Sequence, residues 1–255
     1  DRLTPAPIPV NPHNFCLMAP RLRIVNPATE EILRELEEDT SESVATKAAA
    51  ARRAQRTWSR TPVRARLEVV RRFGSVLSER KETLARTLTS EMGKPIRQSL
   101  NELTAMQGRI DFFLDHTERA IADEVVHRSV DQPDGLEEGI RYEPLGIVAN
   151  ISAWNYPYFV GSNVFLPAVL TGNAVLYKPS EHATLTGLAI AELFRDAGLP
   201  DDVFVPVIGA AETGRALLAQ DIDAVFFTGS YATGRRIAES VASRLIRVQL
   251  VLGGK

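Results

Sequence analysis

The second half of the chain constrains the fold most, because short apolar runs alternate there with longer helical stretches. From Gly146 onward, five apolar segments are predicted as strands: Ile147–Ile151, Ala174–Tyr177, Val203–Val207, Ala224–Phe227 and Ile246–Leu250. Helices are predicted between them, near 158–171, 184–197, 210–219 and 231–244. This alternation is typical of a parallel sheet covered on both faces. We therefore predict an α/β fold with a five-stranded, Rossmann-like parallel sheet over residues 146–255.

The first half of the chain predicts an arm followed by helices. Prolines at 5, 7, 9, 12 and 20 predict an extended arm over residues 1–22. Residues 24–33 read as two short strands around an Asn26-Pro27 turn. The rest of the helical part, residues 23–125, contains four predicted helices. The first runs from Ser41 through Trp58, and the second begins after an N-cap at Thr61, with Pro62 at the first helical position. The third runs from Glu79 to Met92 and ends before Gly93, and the fourth runs from Ile96 to Val125.

The stretch between the helices and the sheet loses helical periodicity. Asp131–Gly135 reads as a turn, and its flanking segments predict a hairpin over residues 126–145. A hairpin that projects from a globular body usually needs a partner to cover it. We expect this arm to mediate homo-oligomerisation.

Composition excludes several classes of function. The net charge of -2 gives no basic footprint for nucleic acid, and no apolar run approaches the length of a membrane span. The single cysteine, Cys16, lies in a proline-flanked stretch, and we interpret it as a tail thiol rather than a nucleophile. The four histidines lack metal-ligand spacing, so no metal site is predicted. The sequence starts at Asp1 without an apolar signal core, which predicts a cytoplasmic location.

Polar or glycine-rich turns follow the first four predicted strands. In an open parallel sheet, ligands bind outside the carboxyl ends of the strands. Lys178 and Glu181 follow the second strand, and together they suit the hydroxyls of a ribose; a surface ion pair or a carboxylate at a helix start is the alternative. A glutamate at this place favours a free 2′-hydroxyl over a 2′-phosphate, since two anions repel each other.

Two further turns carry candidate site residues. Gly229 and Gly234 open a helix directly after an apolar strand, so that backbone N–H groups and the Ser230 hydroxyl could approach a pyrophosphate. A glycine-rich strand-to-helix turn without a ligand is the alternative. Asn155 is a polar amide in an apolar stretch, and it either serves chemistry or caps the helix that begins near Pro157.

Five motifs in order carry a family resemblance: Glu91–Pro95, Ala153–Pro157, Lys178–Glu181, Phe226–Gly234 and Val251–Lys255. Together they are similar to aldehyde dehydrogenases, over residues 22 to 255, and resemble the succinate-semialdehyde and betaine-aldehyde side of that superfamily. The resemblance implies NAD(P)⁺ bound on the sheet, a cysteine that forms a thiohemiacetal with a small aldehyde, hydride transfer to nicotinamide, and thioester hydrolysis by a glutamate-activated water.

The resemblance also implies roles for single residues. Asn155 corresponds to the amide that holds the developing oxyanion. The remaining positions correspond to cofactor contacts or to the lining of the cofactor cleft: Lys178, Ser180, Glu181, Gly229 and Ser230 for the contacts, and Trp154, Phe227 and Thr233 for the lining. NAD⁺ is the expected cofactor because of Glu181, with NADP⁺ possible.

Two departures from the family pattern bear on activity. Valine stands at position 251, where the family has its general-base glutamate, and valine cannot accept a proton. The sequence ends at Lys255, before the cysteine and the catalytic domain, which predicts a truncated chain that is inactive alone. The alternative is a non-catalytic nucleotide-binding or interaction module. A short-chain dehydrogenase of another kind would need a Tyr-x-x-x-Lys pair, and none is present.

Overall fold

The computed structural model describes residues 20–129 and 135–253. Most of the predicted arm, including Cys16, lies outside these ranges, as does most of the predicted turn at 131–135. The described chain begins with an antiparallel pair, β1 (Arg21–Val25) and β2 (Ile32–Glu37). The prediction of two strands around a turn is confirmed. The boundary of the arm at residue 22 is wrong, because β1 already begins at Arg21.

Four helices follow, and their ends show where the sequence prediction erred. They are α1 (Ser41–Trp58), α2 (Val63–Glu79), α3 (Lys81–Met92) and α4 (Ile96–Ala120). Thr61 does not cap α2, because its hydroxyl donates to the Thr57 carbonyl in the last turn of α1. Gly93 ends α3 as predicted, with φ +70°, a left-handed conformation that favours glycine.

A second antiparallel pair, β3 (Glu124–Arg128) and β4 (Glu137–Ile140), follows α4. The predicted hairpin is therefore confirmed, although α4 ends five residues before the expected Val125. Glu124 and Val125 pair with Ile140 and Gly139 in the hairpin, so they are not available to extend the helix. Both strands are exposed along their whole length.

The central sheet has five parallel strands in the order β7-β6-β5-β8-β9, which confirms the predicted sheet. The strands are β5 (Ile147–Ile151), β6 (Ala174–Lys178), β7 (Phe204–Pro206), β8 (Ala224–Gly229) and β9 (Arg247–Leu252). The helices between them are α5 (Pro157–Leu170), α6 (Thr184–Asp196), α7 (Ala211–Leu218) and α8 (Tyr231–Val241).

Two apolar cores cover the two faces of this sheet. Side chains alternate between faces along a strand, so Val148 and Val175 belong to one core and Ile147, Ala149 and Leu176 to the other. The first core contains residues of α2 to α6 together with Trp58 at the end of α1, and the second contains residues of α1, α7 and α8. The result is a three-layer α/β arrangement with helices on both faces, as predicted.

Candidate functional site

The carboxyl ends of four strands of the sheet lie in one row. The strand register places Ile151 beside Lys178 on one side and beside Phe227 on the other, and Phe227 lies beside Leu250. The segments that follow these residues therefore share one edge of the sheet. They contain all of the predicted site residues except Lys178 and Phe227, which belong to the row itself.

The strand order reverses at this edge between β5 and β8. From β5 the chain proceeds through β6 to β7 on one side, and β8 and β9 are added on the other side. The helices that leave the two central strands therefore diverge, and this opens a crevice at their carboxyl ends. The loop after β5 contains Trp154 and Asn155, and the loop after β8 contains Ser230.

Lys178 is a buried cation at the end of β6. Its side chain is 5% exposed, and its ammonium donates to the Pro179 carbonyl at 3.3 Å, its one acceptor among the described residues. Burial lowers the pKa of Lys178, while the charges of Glu181 and Glu38 act in the opposite direction. The surface ion pair considered as an alternative is therefore wrong. A buried ammonium with spare donors suits the hydroxyl groups of a ligand.

Ser180 and Glu181 form the short turn that follows Lys178. The Ser180 hydroxyl accepts from the His182 N–H at 3.3 Å and caps a 3₁₀ turn over Glu181–Ala183. Glu181 reaches no cation within 4 Å in the described part of the chain. One carboxylate oxygen accepts from the Ser180 hydroxyl at 3.4 Å, and the residue begins the 3₁₀ turn, as the alternative of a carboxylate at a helix start predicts. The other oxygen has no partner among the described residues and could accept from ligand hydroxyls beside Lys178.

The N-terminus of α8 carries the glycine-containing turn. Ser230 is the N-cap, and its hydroxyl accepts from the Thr233 N–H at 3.3 Å. A Cβ on Gly229 would meet the Phe227 ring at 2.5 Å, and a Cβ on Gly234 would meet Leu252 at 2.5 Å. Gly234 therefore allows close packing of α8 on β9, and Gly229 leaves room for the Phe227 ring of its own strand. Phe227 is buried next to both glycines, and its ring packs against the turn.

Asn155 lies on the exposed loop between β5 and α5. Its side-chain oxygen accepts from the Tyr156 N–H at 3.1 Å, and the described residues provide no acceptor for its NH₂ group. Tyr156, not Asn155, is the N-cap of α5, and no side chain of its own caps the helix there. The capping role considered for Asn155 is therefore wrong, and its amide donor is directed to solvent or to a ligand.

A buried ion pair lies next to this loop and was not predicted from the sequence. Lys94 donates to Glu102 at 2.6 Å and to the Asn155 carbonyl at 2.9 Å. The other Glu102 oxygen accepts from the N–H groups of Tyr158 and Phe159 at 2.8 and 3.3 Å. Lys94 lies in the Glu91–Pro95 motif, so the motif was found, but nothing in the sequence shows which loop it touches.

A cavity of about 360 Å³ adjoins the site. Its lining includes Trp154, Glu181, His182 and the buried Glu91. Burial raises the pKa of Glu91, although its carboxylate accepts from the N–H groups of Leu185 and Thr186. The remaining lining comes from β1, the turn after it and the end of α3: Arg23, Ile24, Val25, Pro27 and Met92.

The structure brings the predicted residues together in two groups at the shared edge. Lys178, Ser180 and Glu181 form one group beside Trp154, and Gly229, Ser230 and Thr233 form the other. Strand β5 and the Asn155 loop lie between the groups. Within residues 20–129 and 135–253, no cluster of three histidine, cysteine or carboxylate side chains could hold a metal ion. The described helices include none that is long and apolar enough to cross a bilayer.

Residues 18–255 match the profile of the aldehyde dehydrogenase family. The chain is 36% identical over 236 residues to 3,6-anhydro-alpha-L-galactose dehydrogenase from Streptomyces coelicolor, an alignment that covers 92% of this chain and 47% of that enzyme. The chain spans about half the length of the curated relatives it matches.

Solved structures show the same similarity. Betaine aldehyde dehydrogenase from Staphylococcus aureus in complex with NAD⁺ superposes with a TM-score of 0.85 at 31% identity, covering 92% of this chain and 46% of that one. A 3,6-anhydro-L-galactose dehydrogenase structure, solved with NADP, gives a TM-score of 0.85 at 30% identity and covers 92% of this chain and 49% of that one.

Proposed function

Because the chain belongs to the aldehyde dehydrogenase family, we propose that it binds NAD⁺, or NADP⁺, at the carboxyl edge of its sheet and serves the oxidation of an aldehyde to a carboxylic acid. The observation that carries this proposal is the shared edge of the sheet. It brings a buried ammonium, a carboxylate that pairs with no cation among the described residues, and a capped helix N-terminus to one crevice. The cofactors of the solved relatives support the choice of nucleotide.

The residues at the edge fit such a cofactor. Lys178 and Glu181 would hold the ribose, because an ammonium donates to hydroxyls and a carboxylate accepts from them. Ser230 and the first N–H groups of α8 would receive the pyrophosphate at the positive end of the helix. Trp154 and Thr233 would line the cleft, with Phe227 supporting the turn. The bound nicotinamide would accept a hydride during the oxidation.

Asn155 is proposed to act on the aldehyde oxygen. Its NH₂ group has no acceptor among the described residues, and its own oxygen is held by the Tyr156 N–H. A fixed amide donor of this kind stabilises negative charge that develops on a carbonyl oxygen. The nucleophile that attacks the carbonyl carbon would be a cysteine, as the family resemblance implies.

Aldehyde-dependent formation of NADH or NADPH tests this function. The full-length protein that carries this chain should reduce the cofactor when an aldehyde is added, and Asn155→Ala should lower kcat by about 100- to 1000-fold. Absence of cofactor reduction with a broad panel of aliphatic, sugar and carboxylated aldehydes would contradict the proposal.

Val251 favours a second candidate, a nucleotide-binding member that does not complete the reaction. Its side chain is 53% exposed on β9 beside Thr228, at the same edge of the sheet as the other site residues. A valine there cannot activate water for release of an acyl group. Under this candidate, the protein binds the cofactor without turnover, and Val251→Glu should produce or increase aldehyde oxidation. No gain of activity in this variant would count against it.

A further inference from the structure

We infer that Lys94, held by Glu102, is a positioning residue that orients the Asn155 amide through the peptide group between Asn155 and Tyr156. The inference rests on the proposed function for the chemical meaning of that amide. The positioning itself depends only on the contacts that Lys94 and Glu102 make in the structure, and the family resemblance gives no role to this pair.

The buried pair first explains how α5 begins. Pro157 is the first residue of the helix and has no N–H, so Tyr158 and Phe159 carry the first N–H groups that need an acceptor. The N-cap residue offers none from its side chain, and one Glu102 oxygen accepts both. Hydrogen bonds to a charged acceptor are stronger than bonds between neutral groups. The carboxylate of α4 thus fixes the start of the helix.

The ammonium of Lys94 then holds the backbone of Asn155, just before the N-cap of the helix. It bonds the second Glu102 oxygen at 2.6 Å and the Asn155 carbonyl at 2.9 Å, and it lies 4.4 Å from the centre of the Tyr156 ring. The Lys94 side chain is 12% exposed and that of Glu102 is fully buried. A buried ion pair contributes little to stability unless its remaining hydrogen bonds are made. Here the remaining bonds all go to the segment that contains Asn155.

The link to the side chain runs through a single planar group. The Asn155 carbonyl and the Tyr156 N–H belong to the same peptide, whose plane resists rotation. Lys94 holds the carbonyl end, and the Asn155 side-chain oxygen accepts from the N–H end. Because the peptide is planar, holding the Asn155 carbonyl also sets the direction of the Tyr156 N–H. The Asn155 side-chain oxygen, which accepts from that N–H, is then held in place as well. The NH₂ group is left pointing away from both, as a donor in a set position.

A double-mutant cycle in the full-length protein tests this inference. Lys94→Met should lower kcat by about 10- to 100-fold, the cost of a misplaced catalytic group, with the KM for NAD⁺ unchanged. In an Asn155→Ala background the same substitution should have an effect below about twofold, because the group it positions is gone. Equal losses in both backgrounds, or an unchanged kcat in Lys94→Met, would overturn the inference.

Two further variants separate positioning from general stability. Lys81 also bridges α3 and α4, through a 2.7 Å bond to Thr104, but it does not touch the Asn155 loop, so Lys81→Met should leave kcat unchanged. Glu102→Gln keeps an oxygen for the helix amides and loses the charge that holds Lys94, so it should give a smaller loss in the same direction. A large loss in Lys81→Met would show that any weakening of this helix pair lowers activity.

A second readout does not depend on activity. In a ¹⁵N-labelled sample, the side-chain NH₂ signals of Asn155 are those lost in Asn155→Ala. Lys94→Met should shift or broaden these signals, and Lys81→Met should not. If the protein oxidises no aldehyde but the signals respond, the proposed function fails and the positioning stands. If the signals do not respond, the positioning fails whatever the activity.

Discussion

Lys178 lies at the candidate site, in a buried environment that disfavours its charge. Its ammonium is buried at the end of β6, and the described residues give it a single carbonyl as acceptor. Burial is the larger influence on its pKa, which is lowered. A charged group held in this way reduces the stability of the fold and keeps donors ready for a ligand. A buried lysine at this position is thus better explained by a role in ligand binding than by a contribution to the stability of the fold.

Lys178→Met should therefore raise the free energy of unfolding at pH 7, because it removes a buried charge that has a single acceptor among the described residues. The pKa of Lys178 is lower in the folded state than its ordinary 10.5, so the cost of the buried charge is fully present below the folded pKa. The cost is relieved as the pH rises through the folded pKa towards 10.5, and the difference between variant and wild type should shrink. Urea unfolding at neutral and alkaline pH measures this. A variant less stable than wild type at pH 7 would contradict it.

At the scale of the elements, the sequence predicted the sheet well and the helix ends poorly. The runs of β5 and β6 were recognisable because both faces of these strands are buried, while β9, at the edge of the sheet, alternates exposed and half-buried residues. The ends of α2 and α4 depend on contacts that a local pattern does not contain: Thr61 bonds the preceding helix, and Glu124 pairs with Ile140. The role of the Lys94–Glu102 pair was invisible for the same reason, since the pair bonds the Asn155 loop and the start of α5, which are distant in sequence.

The packing of α8 on the sheet depends on Gly234. A Cβ at this position would meet Leu252 of β9 at 2.5 Å, so Gly234→Ala should lower the free energy of unfolding by about 1–3 kcal/mol. Gly108 is the matched control, because it is an exposed residue inside α4 with no atom within 4 Å of the added Cβ. Gly108→Ala should raise stability by about 0.5–1 kcal/mol. Equal effects of the two substitutions in chemical denaturation would refute this interpretation.

At the scale of the whole molecule, several apolar side chains remain exposed on the hairpin formed by β3 and β4. Val126 is 63% exposed, Val125 52% and Ile140 46%. A two-stranded ribbon with such a surface is marginal in water on its own. This supports the proposal that the hairpin is an oligomerisation arm, which the family resemblance also suggests.

Val126→Asp tests the arm. Val126 lies at a register shift between Val125 and His127, so the substitution does not replace a paired residue of the ladder. We expect the variant to have a lower molar mass than wild type in light scattering. Ile32→Asp, at a position 51% exposed on the β1–β2 pair, should leave the mass unchanged. An unchanged mass in Val126→Asp would exclude the hairpin as the contact between subunits.

Calorimetric titration with NAD⁺ tests whether the edge of the sheet binds a nicotinamide dinucleotide. We predict saturable binding at one site per chain, weakened in Glu181→Gln and retained in Glu138→Gln, the same substitution on the exposed strand β4. The absence of binding heat at about 1 mM NAD⁺ or NADP⁺, where even a weak site would be substantially filled, would rule out a nucleotide site in this chain. Equal affinity in wild type and Glu181→Gln would place the nucleotide elsewhere.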